Sequence, residues 1–218
     1  MITKFILLII AAYLLGAIPF ALIIAKAYGI DLRKVGSGNI GATNLSRALG
    51  RKWGYTCFAL DVAKGFIPML TAARLMSSQP GILELFMVIA VGGAAVIGHI
   101  FPIYIGFKGG KGVATAFGVA IGFWPYYTIA VAAAFVIWCI VVLVWRYISL
   151  GSIVAAIIFP VTFGLMIRIS PSWQLAHLWP LFIAAAAIPF MVIIRHRDNI
   201  KRLIAGTESK VFSERNES

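Results

Sequence analysis

Charged residues are sparse along this chain, and the gaps between them have the length of membrane spans. Uncharged, mostly apolar runs cover residues 5–25, 85–107, 147–167 and 169–194, each close to the roughly 20 residues a helix needs to cross about 30 Å of hydrocarbon. A longer run, 112–145, holds 34 uncharged residues interrupted by Trp124-Pro125. It is too long for one crossing and predicts a short helix followed by a full one. A further apolar segment, about 54–74, carries Asp61 and Lys64 in its middle. The pattern predicts an all-α polytopic membrane bundle of seven transmembrane segments, the fourth of them short. With no internal repeat and no low-complexity linker, residues 1–208 read as a single transmembrane domain and 209–218 as a polar C-terminal tail.

Composition agrees. At 218 residues and 61% hydrophobic content, with a mean hydropathy of +0.98, the chain has no room for a separate soluble catalytic domain. The N-terminus resembles a signal peptide, Lys4 preceding an apolar run, but the run is long enough to span and no small-residue cleavage site ends it. It reads as a retained helix. Cys57 and Cys139 both lie inside apolar segments, which suits buried thiols rather than a disulfide framework or a metal site. Placing the loop around Gly36 in the cytoplasm puts 15 of the 19 Lys and Arg on that side, leaving Lys4, Arg74 and Arg168 outside and Lys64 within the membrane. The positive-inside rule then predicts an outer N-terminus and a cytoplasmic tail.

That topology gathers the polar clusters on one face. The first is Gly36-Ser37-Gly38-Asn39-Ile40-Gly41-Ala42-Thr43-Asn44, with Arg47 three residues on. Glycines let backbone N–H groups approach an anion closely, and small hydroxyl and amide side chains can bond phosphate or sugar-like hydroxyls. The run lacks the Gly-Lys-Ser/Thr ending of a Walker loop. The second is Lys108-Gly109-Gly110-Lys111-Gly112, two cations on a flexible backbone, suited to a polyanion. The third is His196 and Asn199, three residues apart where the last span ends, with Ser149 and Ser152 at another inner helix end. Asp61 and Lys64, also three apart, can pair on one helix face. His99 reads as a hydrogen-bonded structural group.

Several chemistries drop out. There is no Gly-x-Ser-x-Gly elbow and no His-Glu-x-x-His zinc motif. The His-x4-Asp motif of coenzyme-A-dependent glycerolipid acyltransferases is absent, because Tyr104, Phe182 and Lys201 stand five residues after the three histidines. No metal ligand set and no cofactor motif is visible. Nucleic-acid binding would explain the net charge of +12 but not its spread over short inner loops.

Three segments together carry a resemblance: 36–47, 98–115 (Gly-His-Ile-Phe-Pro-Ile-Tyr-Ile-Gly-Phe-Lys-Gly-Gly-Lys-Gly-Val-Ala-Thr) and 196–208 (His-Arg-Asp-Asn-Ile-Lys-Arg-Leu-Ile-Ala-Gly-Thr-Glu). They look like the signature motifs of the bacterial membrane glycerol-3-phosphate acyltransferases that use acyl phosphate as donor. Asp-Val-Ala-Lys-Gly (61–65) and Tyr-Ile-Ser-Leu (147–150) extend the likeness along the chain. The resemblance implies transfer of a fatty acyl group from acyl phosphate to the 1-hydroxyl of sn-glycerol 3-phosphate, giving lysophosphatidic acid and inorganic phosphate. It implies His196, Asn199, Ser37 and Arg47 as catalytic. Substrate would be bound by Gly36, Gly38, Asn39, Gly41, Thr43, Asn44, Lys108, Gly109, Gly110, Lys111, Gly112, Ser149 and Glu208. The implied setting is the bacterial inner membrane with the site at its cytoplasmic face, and no obligatory protein partner. A transporter of phosphorylated metabolites is the alternative, although carriers place polar groups at the bilayer midplane and show repeats.

Overall fold

In the computed structural model, which describes residues 1–211, every regular element is helical. The elements are α1 (Ile2–Gly16), α2 (Phe20–Ala27), α3 (Ala42–Leu49), α4 (Arg51–Leu75), α5 (Ile82–Ile100), α6 (Val113–Gly122), α7 (Thr128–Trp145), α8 (Ile148–Ile169), α9 (Leu175–Ile194) and α10 (Arg197–Ile204). Among the described residues six stretches are long and apolar enough to cross a membrane: Ile2–Ala27, Arg51–Leu75, Ile82–Ile105, Thr128–Trp145, Ile148–Ile169 and Leu175–Ile194. The remaining apolar helix, α6, has 10 residues, a length of about 15 Å at 1.5 Å per residue. Large apolar side chains such as Leu7, Leu143, Leu165 and Phe190 are exposed, as lipid-facing positions are. The chain divides into two compact units, Met1–Tyr126 and the part from Tyr127 onward.

In the first unit, two helix pairs cross at reciprocal glycines. A Cβ on Gly16 of α1 would overlap the Ala95 carbonyl of α5, and one on Gly98 of α5 would overlap the Tyr13 carbonyl of α1. The same holds for α4 and α6, where Gly65 faces the Thr115 carbonyl and Gly118 the Val62 carbonyl. Small residues at such crossings let backbones touch, which is how helices associate when lipid removes the hydrophobic incentive.

Two features depart from the expected layout. The first apolar run is not one straight helix, because the α-helix stops at Gly16 and restarts at Phe20. Pro19 has no N–H to continue the ladder, and the Ile18 carbonyl accepts from Phe20 N (3.1 Å) and from Lys64 Nζ (3.1 Å) instead. The stretch read as loop as far as Arg47 is helical from Ala42 onward. Ala42, Leu45, Ala48 and Leu49 share one face, and it packs on a core of Ala21, Ala25, Leu32 and Cys57. Gly41 starts this helix and Gly50, at φ +91°, ends it.

The second unit packs α8 against both α7 and α9. Buried Tyr127 donates to the Leu181 carbonyl (2.7 Å) and meets Phe159 and Phe163 edge-on, at 5.2 and 5.0 Å between centroids. The loop 170–174 separates α8 from α9, which begins at Leu175 within the charge-free run 169–194.

Gly118→Ala should destabilise the first unit by about 1–3 kcal/mol, since the neighbouring atoms are backbone and cannot rotate away. Gly93→Ala, where a Cβ meets nothing within 4 Å, should leave the melting temperature in detergent unchanged or raised. Equal melting of the two variants would refute the close-packed crossing.

Candidate functional site

In the first unit the loop 36–41 hangs between two anchors. Leu32, fully buried, ends up beneath it, and Asn44 on the first turn of α3 braces it from inside. The Asn44 amide nitrogen donates to the carbonyls of Leu32 (3.2 Å) and Val35 (3.0 Å), while its oxygen accepts from Ser37 N (3.1 Å). The Asn44 amide nitrogen is thereby tied to the segment that leads into the loop. Gly36 (φ +57°) and Gly38 (φ +68°) adopt left-handed backbone that other residues resist. The Ser37 side chain and Arg47 are exposed, Asn39 and Thr43 are half-buried, and Gly41 caps α3.

The second glycine loop follows α5. Gly106 and Phe107 both have positive φ (67° and 61°), turning the chain sharply back. Gly109 N then donates to the Ile100 carbonyl (3.1 Å) and Gly110 N to the His99 carbonyl (3.2 Å). These two amides were expected to face phosphate; they are committed to the end of α5 instead. The glycine pair is required for another reason. A Cβ on Gly109 would strike the His99 carbonyl, and one on Gly110 would strike the His99 ring. Lys108 remains exposed and Lys111 half-buried beside buried Gly112, which caps α6 at φ +84°. Ile40 of the first loop and Gly110 of the second line one small cavity, together with Asp61, Lys64 and His99.

In the second unit, Glu208 gathers three groups. Its Oε1 accepts from Ser149 Oγ (2.7 Å) and Asn199 Nδ2 (2.6 Å), and its Oε2 from Arg202 Nε (2.7 Å). Burial alone would favour the neutral acid, but the hydrogen bonds from Ser149, Asn199 and Arg202 and the guanidinium charge hold the carboxyl below the usual range. His196, 2% exposed, caps the start of α10. Its Nδ1 lies 2.7 Å from the Val192 carbonyl; since a carbonyl only accepts, Nδ1 carries a proton, and in the neutral form of the ring the lone pair would sit on Nε2. Ser152 donates to Ile148 O (2.8 Å) and accepts from Trp138 Nε1 (3.4 Å), serving the wall between α7 and α8.

The profile of the glycerol-3-phosphate acyltransferase family matches residues 6–206. The glycerol-3-phosphate acyltransferase of Trichlorobacter lovleyi is 49% identical over 202 residues, covering 93% of this chain and 95% of that protein. That of Aquifex aeolicus is 43% identical, covering 95% and 99%. The chain belongs to the glycerol-3-phosphate acyltransferase family. The crystal structure of PlsY, an integral membrane glycerol 3-phosphate acyltransferase, in its glycerol 3-phosphate form superposes with a TM-score of 0.81 at 42% identity, over 95% of this chain and 96% of that one. Its lysophosphatidic acid form gives 0.78 at 40% identity.

For this acyltransferase, reasoning from sequence left Arg202 out of the candidate site residues. The Gly206 turn (φ +69°) after α10 brings Glu208 back to it. Among the described residues no group of three or more His, Cys, Asp or Glu is placed to hold a metal.

Glu208→Ala should leave Asn199 and Arg202 without their shared acceptor, costing about 1–3 kcal/mol of stability. In the wild type, the carboxyl's contribution is present above the ordinary glutamate range and disappears as pH falls through its lowered value. Thermal unfolding in detergent between pH 3 and 7 checks both; a Glu208→Ala variant with wild-type melting at every pH would refute the clamp.

Proposed function

We propose that this acyltransferase moves a fatty acyl group from acyl phosphate to the 1-hydroxyl of sn-glycerol 3-phosphate, releasing lysophosphatidic acid and inorganic phosphate, the first acylation of phospholipid synthesis. The observation that carries the reading is a pair of glycine-built, cation-bearing loops in the first unit; in the second unit, a buried histidine bonded through Nδ1 to the Val192 carbonyl supports it. The motif resemblance supports acyl phosphate as donor, and the glycerol 3-phosphate form of the similar PlsY structure supports the acceptor. Acyl phosphate is a mixed anhydride with a good leaving group, so direct transfer needs no acyl-enzyme.

The protein's work is then positioning and charge compensation. Arg47, Lys108 and Lys111 hold phosphate. Ser37 and Thr43, with the glycine backbone of 36–41 and the 111–112 amides, orient phosphate and glycerol hydroxyls. Asn44 acts through the loop it braces. His196 and Asn199 contact the attacking hydroxyl or the leaving phosphate, and Glu208 and Ser149 hold Asn199 in place. Residues 1–208 serve this one reaction in the bacterial inner membrane, with seven segments counting α6, the N-terminus outside and the chemistry at the cytoplasmic face.

Purified protein given acyl phosphate and glycerol 3-phosphate should release phosphate and lysophosphatidic acid in equal amounts; movement of glycerol 3-phosphate across vesicles without acylation would defeat the reading. If His196 takes the proton, His196→Ala lowers turnover on the order of 10²–10⁴-fold. A loss under about tenfold at saturating substrate assigns that proton to the acyl phosphate itself. Activity should survive EDTA, and a loss restored by Mg²⁺ would overturn the metal-free scheme.

A further inference from the structure

A charged cluster inside the first unit is left over by the reaction just described. Lys64 Nζ lies 2.8 Å from Asp61 Oδ1, and His99 Nδ1 lies 3.6 Å from the same oxygen. The three side chains are 2%, 5% and 7% exposed. Removing ions from water costs several kcal/mol each, and a well-packed apolar replacement commonly serves stability as well. Ionisable groups kept at membrane depth therefore call for a role beyond holding the fold.

Their neighbours indicate that role. Lys64 reaches across to the Ile18 carbonyl at the α1–α2 break, and so ties α4 to that break. Asp61 Oδ1, which pairs with Lys64 Nζ, also lies against the His99 ring on its Nδ1 edge. The far edge of that ring, Nε2, is the surface against which Gly110 is seated, and the His99 carbonyl takes the Gly110 amide. His99 thus grips the second glycine loop by ring and by backbone. Ile40 faces the same cavity, so the cluster abuts both loops.

We propose that Asp61, Lys64 and His99 are positioning residues that hold the 107–112 loop in its phosphate-binding shape, Asp61 orienting the His99 ring and Lys64 anchoring Asp61 to the helix break. The role rests on the reading of Lys108 and Lys111 as phosphate ligands. Nothing is transferred to or from the cluster; it sets where the two lysines stand.

The test has two arms. Hydrogen–deuterium exchange on detergent-purified protein compares the wild type with His99→Gln, Asp61→Asn and the paired Asp61→Leu/Lys64→Met, which removes both charges together so that no lone ion is left to unfold the unit. Expected is faster exchange confined to peptides covering 105–112, with α4 and the body of α5 unchanged. Unchanged exchange in 105–112, or acceleration spread evenly over the unit, would overturn the proposal. The second arm is kinetic: the KM for one phosphate substrate should rise about tenfold, within the roughly 10²-fold that an ångström-scale misplacement costs, with kcat nearly kept. A fall in kcat alone with both KM values unmoved would count against it. Wild-type protein without acyl transfer would sink the assigned reaction, while the exchange arm would still decide whether the cluster holds the loop.

Discussion

Close contact between helix backbones is the constraint on which the first unit depends. Gly16 and Gly98 on one pair, and Gly65 and Gly118 on the other, bring carbonyls within reach of the opposing helix where any side chain would collide. Lipid offers no hydrophobic reward for burying one apolar helix against another, so dispersion at these crossings has to supply the cohesion. The positions of Asp61, Lys64 and His99 follow, because α4 and α5 carry them to a common depth. Gly92, whose neighbours are Val119 and Met69, extends the same economy to the place where α4, α5 and α6 meet.

The polar loops are built by a complementary rule. Inside an apolar bundle a backbone amide must find a partner, and each loop meets that demand from its own residues or from a helix end. Asn44 makes three hydrogen bonds, one to the first loop at Ser37 and two to the Leu32 and Val35 carbonyls just before it. The carbonyls of His99 and Ile100 take two amides of the second. In the second unit a carboxylate does the same work for Ser149, Asn199 and Arg202. The loops are thus stiffened at their bases, with Lys108 exposed and Lys111 half-buried.

Much of this was legible beforehand. The spacing of charges located the apolar helices, Trp124-Pro125 marked the interruption after α6, and the three-residue interval of Asp61 and Lys64 foretold their ion pair. These are local signals, set by helix period and by the absence of charge over a fixed length. The helical character of 42–49 was concealed by its glycine-rich approach. The stop at Gly16 was concealed because the hydrophobicity continues through it.

The sequence by itself determined the class of molecule, its apolar helices and the family to which it belongs. Those properties reside in residue type and short spacing. Only the tertiary structure decided what the residues are joined to. Glu208 meets Ser149 across 59 positions, and His99 joins an ion pair on another helix. The Gly109 and Gly110 amides turn to α5 instead of outward. Such partnerships depend on where helices cross, and the crossings depend on volumes and carbonyl positions summed over whole faces, for which no short stretch of sequence carries a mark.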